Sequence, residues 1–132
     1  MDTGGNAGSQ SSTTVIRSLA LDDIKFADFF RVMFKEFRVA ILCGVTLSVC
    51  NFFKILLVDR MLLGNTNITV MMDITVWLVI TVILSKLIGA SLPLLAKKIG
   101  FDPAVMASPF ITTIVDAVSL LVYFRIAVWL LI

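Results

Sequence analysis

The chain has 132 residues, 59% of them apolar and 15% charged, with a formal charge of +2 and a mean hydropathy of +1.04. Soluble domains run about 45–50% apolar and about 25% charged, so this composition marks lipid as the solvent. The small charge argues against a nucleic-acid-binding stripe, and the lack of histidine against haem, zinc and triad chemistry. An integral membrane protein, not an enzyme, is expected.

Met1 to Ile16 is rich in Gly, Ser, Thr and Asn, a composition that fits a flexible tail. Yet Thr3, Asn6, Gln10, Thr13 and Arg17 recur at steps of three and four. Gly4 and Gly8 make the G-x-x-x-G spacing that lets membrane helices approach closely. Periodicity alone leaves tail and polar helix equally open. The stretch lacks the basic n-region and apolar h-region of a cleavable signal.

Asp22 to Arg38 places Asp28, Arg31, Lys35 and Arg38 on one helical face and Phe26, Phe30, Met33 and Phe37 on another. Such an amphipathic helix lies at the membrane surface or packs on a neighbour, with Asp22 or Asp23 as its N-cap. Residues 39–58 follow, apolar apart from small polar residues and Lys54, and match the roughly 20 residues that span a bilayer. Cys43 and Cys50 lie within this span, about 10 Å apart along a helix and beyond disulfide reach. They are expected to be buried small apolar side chains.

Asp59 to Thr69 reads as a short loop. Residues 70–96 and 104–132 are further candidate spans, both long enough to tilt. Between them Lys97, Lys98 and Gly100 end one helix, and Asp102 as N-cap with Pro103 at the first position begins the next. Basic residues gather in 17–38 and 97–103, whereas the 59–69 loop holds only Arg60. The positive-inside rule therefore places the first two in the cytoplasm, and the loop and the C-terminus outside.

In the last span Ser108, Thr112, Asp116, Ser119 and Tyr123 share one face of an otherwise apolar helix. Asp116 falls about 20 Å from the helix start, near the middle of a core about 30 Å thick. An ionised carboxylate there costs on the order of 2.5–3.5 kcal/mol and needs a partner or water. An ion pathway explains the hydroxyl ladder better than a packing hydrogen bond does. Pro109, read as lying inside the helix, would free the Val105 carbonyl and kink the chain. Carboxylate, hydroxyl and carbonyl oxygens suit hard cations such as magnesium and calcium. One carboxylate per chain is too few for a divalent ion, but two chains at a two-fold axis would supply a pair.

These residues resemble the MgtE family of magnesium channels and transporters, relatives of the animal solute-carrier magnesium transporters. The resemblance is carried by Met1-Asp2-Thr3-Gly4-Gly5-Asn6-Ala7-Gly8-Ser9-Gln10-Ser11, by Phe101-Asp102-Pro103-Ala104, and by Ser108-Pro109-Phe110-Ile111-Thr112-Thr113-Ile114-Val115-Asp116. It covers essentially the whole chain. It implies an all-α integral membrane domain of five helices that forms a homodimer, with the pore built from the second and fifth. Residues 1–17 would then be half of the second helix, 22–38 an interfacial helix, 39–62 the third helix, 70–96 the fourth and 103–131 the fifth. The first helix, the start of the second and the cytoplasmic gating domains would be missing from the 132 residues, as in a fragment, a misassigned start or one part of a split transporter.

The resemblance also implies site roles. Asp116 matches the family's pore carboxylate, Thr112 would offer a backbone carbonyl, and Gly5 and Asn6 would line the facing wall. Ser108, Thr113 and Ser119 complete the implied lining. The transported ion would be Mg2+, held hydrated, in the plasma (inner) membrane of the cell, with the lipid bilayer as partner and no nucleic acid. Transport of another divalent cation such as cobalt or zinc, or a non-transporting assembly subunit, are the alternatives. Ser108 and Thr112 depart from the alanine or asparagine of family members. Lys86, about 16 Å into its span, is expected to face protein or snorkel rather than pair with Asp116.

Overall fold

The computed structural model describes residues 2–64, 67–106 and 108–131, with the backbone alone at 63, 106, 108, 130 and 131. The glycine-rich start is a helix, α1 (Asp2–Ala20). Glycine costs a helix about 1 kcal/mol relative to alanine, so intrinsic propensity does not explain it. Packing does: Gly4, Gly5, Gly8, Ser11, Val15 and Leu19 are buried along one face. At its end the Asp23 amide bonds the Ser18 carbonyl at 3.0 Å and the Asp22 amide bonds that of Leu19 at 3.3 Å. This pair of bonds puts Asp22 at φ +56°, a conformation aspartate tolerates better than most residues.

Asp22 therefore closes α1 and does not cap the helix after it. That helix is introduced by a 3₁₀ turn (Phe26–Asp28), in which the Lys25 amide donates to Asp28 Oδ2 at 3.1 Å. It then runs as α2 (Phe29–Lys54) without a break at 38/39, where a boundary between interfacial and spanning helices was expected. Nothing near Arg38 interrupts the ladder, and Glu36 and Ala40, one turn apart, are buried on the same face. The buried stripe of α2 is Glu36, Ala40, Gly44 and Ser48. Cys43 and Cys50 lie off it, half-buried and exposed, contrary to the expectation that both are buried.

The helix continues past the expected loop start. A π-helical turn (Ile55–Asp59), bridged by a Lys54–Asp59 ion pair of 3.7 Å, leads into α3 (Arg60–Leu63). Gly64, at φ +67°, ends it, and α4 (Ile68–Ile99) begins soon after. The loop read at 59–69 is thus much shorter, because Arg60–Leu63 holds no helix breaker. Asn65 and Thr66 of that reading lie outside the described residues. Gly100, at φ +96°, stops α4 where the sequence places the stop, with the Phe101 amide on the Ala96 carbonyl at 2.9 Å.

The last segment differs from a single helix over 103–131. A 3₁₀ turn (Pro103–Met106) is capped by Asp102, whose Oδ1 accepts the Ala104 amide at 3.0 Å. A second helix, α5 (Ser108–Leu131), follows it. Pro109 thus stands in the first turn of α5, where its missing N–H costs little, and not in a helix interior where it would kink the chain.

Three helical stretches, Phe26–Leu62, Ile68–Ile99 and Pro109–Trp129, are long and apolar enough to cross a membrane. Among the described residues there is no strand, and the chain is an all-α integral membrane domain. The first stretch, about 55 Å long, leaves room for its amphipathic opening turns outside a hydrocarbon core about 30 Å thick. Helix α4 is the centre: α1 runs parallel to it, and α2 and α5 antiparallel. Val15 and Leu19 of α1 pack with Ala90 and Leu94 of α4 at one end. The Asp22–Lys97 ion pair (3.9 Å) and Lys98 over the Phe26 ring (4.4 Å) bring both basic segments to that same end.

Candidate ion site

Glycine lets α1 sit directly on its neighbours. A Cβ at Gly89 of α4 would fall on the Gly8 carbonyl, so the two helices touch backbone to backbone. A Cβ at Gly4 would stand 2.9 Å from Thr81 Cγ2, 3.0 Å from Ser85 Oγ and 3.1 Å from Ser119 Oγ. At Gly5 it would stand 3.2 Å from Thr112 Cγ2 and 3.5 Å from Asp116 Oδ1. The structure therefore brings Gly5, Thr112 and Asp116 together. Thr81 and Ser85 lie 13 and 14 residues from the two ends of α4, about 20 Å from each, so this level is the middle of the bundle.

Asp116 Oδ1 is buried and has no hydrogen-bond partner. Desolvating a carboxylate oxygen without a partner is costly. Thr81 Oγ1 and Ser85 Oγ nearby are buried and likewise without partners. One turn earlier on α5, the Thr112 and Thr113 hydroxyls both donate to the Pro109 carbonyl, at 3.0 and 2.9 Å. Thr112 is half-buried and Thr113 exposed.

Asn6 is exposed on the other side of α1, where Ser9, Gln10, Thr13, Thr14 and Arg17 join it around an open groove of about 730 Å³. The polar stripe read in the sequence is therefore the open face of α1, and the glycines are its packed face. Ser119 is buried against Gly4, not on the groove. The side chain of Ser108 lies outside the described residues. Among the described residues no three His, Cys, Asp or Glu side chains cluster to hold a metal within one chain.

Lys86 faces protein. It is 6% exposed, and its Nζ donates to Ser11 Oγ at 3.3 Å, while Ser11 Oγ donates to Glu36 Oε2 at 2.6 Å. Glu36 is 7% exposed. Sequence reasoning missed Ser11, Glu36, Thr81 and Ser85. Thr81 and Ser85 carried a signal, two hydroxyls one turn apart in an apolar helix next to Lys86. Glu36 carried none, being one charge among several on an amphipathic segment.

Fold and site define an all-α membrane domain with a partly buried carboxylate at its helix crossing. Residues 1–126 match the MgtE family of divalent cation transporters, and the chain belongs to that family. It is 38% identical over 127 residues to the magnesium transporter MgtE of Thermus thermophilus, covering 96% of this chain and 27% of that protein. The magnesium transporters MgtE of Enterococcus faecalis and Bacillus subtilis are 37% and 35% identical, over 95% and 93% of this chain and 26% of each relative. The chain thus spans about a quarter of the length of the curated relatives it matches.

Proposed function

We propose that this domain forms half of a dimeric pore for Mg2+, with Asp116 holding the hydrated ion at mid-membrane. The observation that carries the proposal is the buried, unpartnered Asp116 Oδ1 beside Gly5 and Thr112. Two copies meeting across a two-fold axis would bring two such carboxylates to one ion, and a two-fold axis is the commonest way for identical chains to pair. Mg2+ gives up its waters reluctantly, so the carboxylates act on it through the hydration shell.

In this reading Thr112 supports the ion through its backbone carbonyl, and Gly5 keeps the wall thin enough for the carboxylate to reach it. Asn6 and Thr113 line the path. Ser119, packed on Gly4, acts from behind the wall. The polar groove of α1, ending at Arg17, is the hydrophilic surface that two subunits would enclose. The relatives are named magnesium transporters, and the family is described as transporting divalent cations, both in keeping with a hard-ion site. In this reading the membrane is the plasma membrane, with the basic 17–38 and 97–103 segments on the cytoplasmic side.

The test is Asp116→Asn and Asp116→Ala in the complete protein, reconstituted in vesicles loaded with a Mg2+-sensitive dye. Both variants should assemble as the parent does and lose Mg2+ uptake. Parental uptake by either would overturn the assignment. Competition by cobalt or zinc in the parent reads which divalent ion the site prefers.

A further inference from the structure

Three helices meet at a buried pair of opposite charges that the ion site does not use. Lys86 comes from α4, Glu36 from α2, and Ser11 from α1 stands between them, accepting from the ammonium and donating to the carboxylate. Ser11 is 2% exposed. A lysine at this depth is expensive unless it is neutralised. Its α4 neighbour Ser85 packs on Gly4 and Gly8, so the ammonium sits close behind the α1 wall. The opposite face of that same turn of α1 carries Gln10, Thr13 and Thr14 along the open groove. One helix diameter, about 10 Å, separates the ammonium from the path proposed for the ion.

We propose that Glu36 is a positioning residue for ion passage: through Ser11 it compensates the Lys86 charge, which would otherwise repel a divalent cation from the groove. This rests on the pore reading above for where the cation passes. Repulsion scales with ionic charge, so an uncompensated ammonium acts on a divalent ion twice as strongly as on a monovalent one. The low-dielectric surroundings and thin wall make that repulsion hard to screen. Ser11 supplies the polarity of the link: a hydroxyl can accept from lysine and donate to glutamate at once, which alanine cannot.

The experiment measures the Mg2+ dependence of uptake by the complete protein in vesicles. Glu36→Gln should raise the half-saturating Mg2+ concentration by about tenfold, with little dependence on ionic strength because the buried charge is poorly screened. The double variant Glu36→Gln/Lys86→Gln removes both charges and should return it to near the parental value. A Glu36→Gln variant with parental dependence overturns the proposal, as does a double variant no better than Glu36→Gln alone, the result expected of a merely structural role. If Glu36→Gln does not fold, the exchanged pair Glu36→Lys/Lys86→Glu replaces it. Parental half-saturation in that pair supports the inference, and failure to transport overturns it. Asp116→Asn is run beside these variants. Parental uptake by Asp116→Asn removes the pore reading, while the coupling between Glu36→Gln and Lys86→Gln in thermal stability still reports whether the charges compensate each other.

Discussion

Gly89→Ala is the sharpest structural prediction because the structure leaves no room for one methyl. The added Cβ would fall on the Gly8 carbonyl oxygen and crowd the Gly8 Cα. Carbon–oxygen contacts between closely packed helices lie at about 3.3–3.6 Å, so α1 would have to back away by roughly 1 Å or more. The obstacle is backbone on a helix, which cannot rotate aside as a side chain can. Overpacking of this kind costs typically about 1–3 kcal/mol, a shift in the folded ratio of about fivefold to about 160-fold at those limits. Moving α1 also withdraws Gly5 from Thr112 and Asp116, so uptake should fall with stability.

Gly44→Ala is the matched control. A Cβ there would meet Val79 Cα at 3.4 Å, an ordinary contact, and alanine is the better helix former by about 1 kcal/mol. Thermal unfolding of the detergent-solubilised complete protein reads both variants. Gly89→Ala should melt several degrees below the parent and Gly44→Ala at or slightly above it. If the two melted together, the backbone contact between α1 and α4 would not exist as described.

Two further outcomes follow from local geometry. Gly100 ends α4 at φ +96°, where a side chain is strained, so Gly100→Ala should lower the melting temperature by the equivalent of about 1 kcal/mol although open space surrounds it. The Asp22–Lys97 pair is 3.9 Å apart with its carboxylate side chain 86% exposed, so Lys97→Met should leave the melting temperature unchanged in low and high salt alike.

Much of the fold is legible in order along the chain. The turn at Gly100 and Asp102 is written in residues whose backbone and side-chain chemistry act locally: a left-handed position that glycine accepts, and a carboxylate that caps the amides after it. Residues 70–96 are apolar enough that only their ends were left to find, and α4 extends past both. Where the reading failed, packing outweighed a local cue. Asp22 was a plausible N-cap by type, but the chain uses it to close α1. Pro109 was read as interior because no breaker lies between it and Pro103, yet the helix restarts at Ser108.

The site divides the same way. Asp116 stood out because a carboxylate in an apolar helix has few bland explanations. Ser119 shared its stripe, but whether it faces a groove or a neighbouring glycine depends on where α1 lies. Lys86 could be placed only in depth, not in company, since its partners Ser11 and Glu36 are 75 and 50 residues away.

Composition and periodicity alone thus determined that this is a lipid-embedded helical chain with a single candidate carboxylate. Both are properties of residue type and spacing, felt by each segment separately. The resemblance already implied that the polar, glycine-rich start is a helix; the tertiary structure decided which of its faces packs and which stays open, and how the Lys86 charge is compensated. Those outcomes rest on the missing side chains of Gly4, Gly5 and Gly8 meeting α4 and α5. That energy belongs to contacts between distant segments and has no counterpart in the sequence of any one of them.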